Sequence, residues 1–215
     1  MEHKPLPPTP PTEPNNPSSS MTTHNPPTNG GPTPESPQKH IWVITGPAGC
    51  GKTSVAEHLH QTFSLPYLEG DTYHTPDNVS KMAAGHPLTD TDRWDWLITL
   101  RTACLSTLKT SPGVILTCSA LKRKYRDVLR IASYGHPDVK VHFVFLKASE
   151  VVLMERVRGR KDHYMKDYMV KSQVESLESP GSDETDVLLV DAGGEAEVVK
   201  GLAEGLVKKV MDRSA

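Results

Sequence analysis

Cysteine is scarce in this sequence, and the few present do not cluster. Cys50, Cys104 and Cys118 are odd in number and widely spaced. That excludes a disulfide framework and a zinc-ligand spacing, and points to a reducing, cytoplasmic setting. A dominant charge is missing too: 24 Lys and Arg stand against 26 Asp and Glu, a formal net charge of -2. No basic field is available to hold a nucleic acid. No apolar run approaches the length of a membrane span. The expected partners are small molecules, with no nucleic acid and no membrane.

Large apolar residues are nearly absent from residues 1–39, which hold twelve of the 19 prolines. Such a segment has nothing to bury and is expected to be a disordered tail. It carries neither the apolar core of a signal peptide nor the arginine-rich amphipathic pattern of a transit peptide. Runs such as "PLPPTPPTEP" favour polyproline II and leave two readings open, a plain solvated tail or a ligand for an SH3-type groove. Residues 40–215 have the length and pattern of one folded domain.

The domain opens on an apolar, β-branched run, Ile41–Thr45, which suits a strand buried on both faces of a parallel sheet. Gly46-Pro-Ala-Gly-Cys-Gly-Lys-Thr53 then matches G-x-x-x-x-G-K-[ST] at every fixed position. Val55, Ala56 and Leu59 follow at helical spacing. Strand, glycine loop and helix in that order define a phosphate-binding loop. Its backbone from Gly46 through Pro47, Ala48, Gly49, Cys50 and Gly51 would turn N–H groups toward phosphate oxygens, and the helix start at Lys52, Thr53 and Ser54 would add its dipole. Lys52 would reach the β- and γ-phosphates, and the Thr53 hydroxyl would ligate Mg²⁺. Cys50 reads as a small filler. The cofactors expected are ATP and Mg²⁺.

Further strands are expected at Pro66–Gly70, Val114–Cys118, Val141–Leu146 and Val187–Val190. Helices are expected over "DTDRWDWLITLRTACLSTLK", over "LKRKYRDVLRIA" with Ser119 as its cap, over "ASEVVLMERVRGR" and over "EAEVVKGLAEGLVKKVM". Five apolar strands alternating with helices predict an α/β fold, a five-stranded parallel sheet sandwiched by helices in the manner of a P-loop NTPase.

The reaction class follows from what accompanies the loop. The Asn-Lys-x-Asp sequence by which GTPases usually read guanine does not occur, and "GVILTCSALK" ends its strand in Cys-Ser where motor ATPases usually carry Asp. The acidic groups lie in "LEGDTYH", at a strand end facing the same crevice as the phosphate loop. Asp71 is placed to take a proton from, or orient, an attacking hydroxyl; its other reading is a turn aspartate capping the next helix. Glu69 would assist the metal. Arg93, Lys122, Arg126, Arg156, Arg158 and Arg160 supply cations near loop–helix junctions. "ERVRGRKDHYMKD" stands where small kinases of this architecture place a mobile lid, and its arginines, Arg160 among them, would close over the γ-phosphate. A charged, exposed helix end is the other reading of that stretch.

Three segments resemble the small P-loop gluconokinases, relatives of shikimate kinase and the nucleoside monophosphate kinases. They are "GDTYHTPDNVSKMAAGHPLTDTDRWDWL", "CSALKRKYRDVLR" and "RKDHYMKDYMVKSQVESLESP", within a likeness covering about residues 40–212. The resemblance implies ATP-dependent phosphorylation of D-gluconate at its 6-hydroxyl, and a homodimer. It implies that Arg93, Lys122 and Arg126 hold the sugar-acid carboxylate. Asp71, His74 and Gln173 would meet the hydroxyls, and His163 of the lid-like segment would bind the substrate; an ordinary helix-cap or surface histidine is the other reading of His74 and of His163. Departures exist: Glu69 stands where many members have Asp, and "HTPDN" shifts a proline by one place. A sister kinase with another small acceptor such as shikimate, or a nucleotide-binding module without turnover, are the alternatives.

Overall fold

A computed structural model describes residues 37–159 and 167–214. Within it, five strands are interleaved with helices: β1 (Lys39–Thr45), α1 (Lys52–Phe63), β2 (Tyr67–Glu69), α2 (Pro76–Ala83), α3 (Asp90–Thr107), β3 (Gly113–Thr117), α4 (Arg123–Arg130), β4 (Val139–Lys147), α5 (Glu150–Arg158), α6 (Asp167–Glu175), β5 (Val187–Asp191) and α7 (Ala196–Ser214). All strand pairs are parallel, in the order β2-β3-β1-β4-β5. The expected α/β sandwich is the observed one.

Alternation along β1 builds the two layers. Trp42 and Ile44 face a core shared with Val55 and Leu59 of α1 and Val199 and Ala203 of α7. Ile41 and Val43 face the opposite core, with Leu97 and Leu100 of α3 and Leu129 of α4. Successive strand side chains leave opposite faces, so a run apolar at every position is a strand covered twice.

Several boundaries differ from expectation. Lys39, counted with the tail, opens β1, where its N–H meets the Asp138 carbonyl; residues 1–36 lie outside the described residues. Ser119 does not cap α4. The cap position is Lys122, and Ala120 sits at φ 34°, in a left-handed conformation that a helix begun at Ser119 could not continue through. Helix α2 is absent from the expected elements, yet its start is well formed: Thr75 accepts the Asn78 N–H and Pro76 occupies the first turn. The shifted proline of "HTPDN" is thus a helix start.

Candidate active site

The phosphate loop connects β1 to α1. A Cβ at Gly46, whose φ is 141°, would lie 2.7 Å from the Leu146 carbonyl oxygen and 2.8 Å from the Cys50 sulfur. Cys50 is buried, and that burial raises its thiol pKa, so it fills space as expected. The Lys52 ammonium folds over the loop, donating to the carbonyls of Gly46 at 2.9 Å and Pro47 at 3.1 Å. From α6, the Gln173 Oε1 accepts the Ala48 N–H at 2.7 Å.

The second wall comes from the end of β2. Gly70 is pressed onto β3 so closely that a Cβ would fall 2.0 Å from the Thr117 carbonyl oxygen. Only glycine lets the chain turn there, and the turn presents Glu69 and Asp71 on either side. The Trp96 indole N–H fixes it from α3 by donating to the Gly70 carbonyl at 2.8 Å. Asp71 does not cap a helix: it lies within a 3-10 turn, Gly70–Tyr73, and Thr75 caps α2.

One cavity of about 550 Å³ is lined by both walls, with Lys52 and Thr53 on one side and Glu69 and Asp71 on the other. Its remaining lining includes His74, Arg93, Lys122 and Gln173. Four of the residues expected at the acceptor are therefore together with Asp71. His74 stacks on Trp96 with ring centroids 4.2 Å apart, and its Nδ1 is buried without a partner. Burial holds the His74 pKa below its ordinary value despite the nearby Asp71, so the ring is neutral near pH 7. Arg93 donates one N–H to the Leu88 carbonyl at 3.3 Å, and its guanidinium lies 5.6 Å from the Tyr125 ring centroid.

Lys122 lies 3.1 Å from Asp90, which also accepts from Lys124 and the Tyr125 hydroxyl. Those donors, Lys124 first, drive the Asp90 pKa well below the usual carboxylate range. Asp90, Trp96 and Tyr125 line the cavity and were passed over as site residues, although all three lie in segments quoted above for the resemblance.

Arg126, expected at the acceptor carboxylate, is not there. It is fully buried, forms a two-pronged pair with Glu184 at 2.7 Å for each contact, and donates to the carbonyls of Ala120, Leu121 and Glu178. Its donors are consumed by the fold, and it does not line the cavity. Arg126 holds Glu184 at a pKa of about 2. Arg156 likewise serves the loop after β5, donating to the carbonyls of Ala192 at 2.7 Å and Gly194 at 2.6 Å. Arg160 and His163 lie outside the described residues.

Thr53 and Glu69 offer oxygen to a metal. The Thr53 hydroxyl is 3.3 Å from a Glu69 oxygen, and that carboxylate also accepts from Tyr67 and Thr117. Two hard oxygen donors beside a phosphate loop fit Mg²⁺, which takes few protein ligands and completes its shell with phosphate and water. Among the described residues there is no cluster of three His, Cys, Asp or Glu that would compete for it.

A parallel sheet of this order, with a phosphate loop after β1 and acidic side chains at the end of β2 over one cavity, defines a P-loop kinase. A family model described as an AAA domain matches residues 41–180. A probable gluconokinase of Schizosaccharomyces pombe is 46% identical over 156 residues, which is 72% of this chain and 80% of the relative. The thermoresistant gluconokinase of Escherichia coli is 39% identical over 170 residues, 79% of this chain and 94% of the relative. The crystal structure of a gluconokinase from Sinorhizobium meliloti superposes with a TM-score of 0.70 at 37% identity, covering 82% of this chain and 95% of that one. The chain belongs to the gluconokinase family.

Proposed function

We propose that this enzyme transfers the γ-phosphoryl group of ATP to the 6-hydroxyl of D-gluconate, giving 6-phospho-D-gluconate and ADP. The observation that carries the reading is the shared cavity: Lys52 and Thr53 line it from the phosphate loop, Asp71 from the opposite wall. Lys52 exchanges the Gly46 and Pro47 carbonyls for the β- and γ-phosphates. Asp71 orients the attacking hydroxyl and takes its proton as the bond to phosphorus forms. Arg93 and Lys122 hold the carboxylate of the acid, while His74 and Gln173 meet its hydroxyls. Thr53 and Glu69 hold Mg²⁺, which offsets charge on the phosphates when bound. Arg160 adds a further cation for the transferring group, and His163 a further contact to the substrate.

Three free, buried cysteines support a cytoplasmic setting, and among the described residues no helix is long and apolar enough to cross a membrane. The homodimer belongs to the same proposal and is read from molar mass in solution.

ADP release with purified enzyme and Mg·ATP, over sugar acids, shikimate and nucleoside monophosphates, tests the reaction. Turnover with gluconate is expected to exceed that with every other acceptor. Preference for shikimate would move the assignment to a sister kinase, and ATP binding without any turnover would make the chain a nucleotide-binding module.

A further inference from the structure

We propose that Tyr67 is a positioning residue for the metal-side carboxylate: its phenol, together with the Thr117 hydroxyl, sets the reach of Glu69 toward Mg²⁺ and Thr53. The inference rests on the kinase reading above and deepens it.

Tyr67 and Glu69 are two apart on β2, so their side chains leave the same face. The phenol donates to Glu69 Oε2. From the adjoining strand, Thr117, registered opposite Glu69, donates its hydroxyl to Oε1. A glutamate arm has one more rotatable bond than an aspartate, and two donors on two strands remove that freedom.

The chemistry of the donors is the telling part. Asp90, in the same cavity, is held by two lysines as well as a phenol, and its charge is spent on them. The three groups on the Glu69 carboxylate are the neutral hydroxyls of Tyr67, Thr117 and Thr53. Neutral donors orient a carboxylate without cancelling its charge, which leaves the negative field intact for a cation. A carboxylate accepts about four hydrogen bonds, so capacity remains for a metal or its water.

Calorimetric binding of ADP, in EDTA and across a Mg²⁺ titration, tests this without any acceptor. Tyr67→Phe is expected to raise the Mg²⁺ concentration needed for tight ADP binding about tenfold, with metal-free ADP affinity and Tm unchanged. In the Glu69→Asp background, whose shorter arm cannot meet the phenol in the same way, the added Tyr67→Phe is expected to change metal dependence less than about twofold. Unaltered Mg²⁺ dependence in Tyr67→Phe overturns the inference, as do equal losses in metal-free affinity and Tm, which mark a merely structural phenol. Because ADP and Mg²⁺ are the only ligands, the expected pattern in a chain that fails to phosphorylate gluconate would sink the reaction and leave the role of Tyr67 standing.

Discussion

Gln173 of α6 is bonded to Ala48 of the phosphate loop, its Oε1 taking the backbone N–H at 2.7 Å. An N–H can only donate, so the orientation of the carboxamide is fixed and its NH₂ group remains a donor for the cavity. The helix that follows residues 160–166 is thereby tied to the element that holds the nucleotide. Gln173→Glu keeps an acceptor but sets a negative charge beside the triphosphate. It is expected to raise KM for ATP about tenfold over wild type, the size of one partly screened repulsion, and more than Gln173→Ala does. Steady-state kinetics at saturating gluconate decide the order.

Lys52→Ala should lower kcat by about 10²–10³, since the ammonium meets charge that grows as the phosphoryl group leaves. In the resting protein Lys52 also donates to the Gly46 and Pro47 carbonyls, so Tm measured beside kcat separates loss of these loop contacts from loss of the charge. Near-normal turnover would contradict the assignment of the loop.

Asp71→Asn keeps the size of the side chain and removes its basicity. A fall in kcat of about a hundredfold or more, with ADP affinity held, is expected from single-turnover and binding measurements. Equal losses in both would assign Asp71 to binding or to the metal instead.

Breaking the Arg126–Glu184 pair tests whether Arg126 serves the fold and not the acceptor. Glu184→Gln strands a buried guanidinium and is expected to cost about 3–5 kcal/mol in urea unfolding, while KM for gluconate in the surviving folded fraction stays near wild type. A selective rise in KM at full stability would return Arg126 to the acceptor site.

Acid should act on the sheet through His142. It stacks on Trp42 at 4.4 Å and meets His40 at 3.1 Å. Burial, and then the neighbouring His40, hold its pKa at about 4, below the ordinary 6.5. The unfolded chain therefore takes up a proton before the folded one does. The contribution of neutral His142 to stability is complete above pH 6.5 and is lost as pH falls from there through about 4. His142→Phe keeps the stack without titrating, so its Tm should fall less between pH 6.5 and 5 than that of the wild type.

What could be read in advance is what repeats locally. The phosphate loop announces itself within eight residues, and the double burial of β1 follows from an apolar run with no polar face. The positions of Glu69 and Asp71 follow from the rule that strand ends of a parallel sheet share one crevice. Arg126 was not legible because its partner Glu184 is 58 positions away, and an arginine on a charged helix looks the same whether it is solvated or sealed. The start of α4 was hidden in one residue's backbone angle, that of Ala120. Tyr67 did leave a signal: a phenol two places before a carboxylate on a strand faces the same way.

The indole of Trp96 joins the Gly70 carbonyl, the His74 ring and the cavity wall. It is consequently a native optical probe, because its emission depends on the dipoles and the ring against which it rests. With Trp42 and Trp94 replaced by Phe, the proposed seat of gluconate beside His74 would be read through Trp96 emission without any added label.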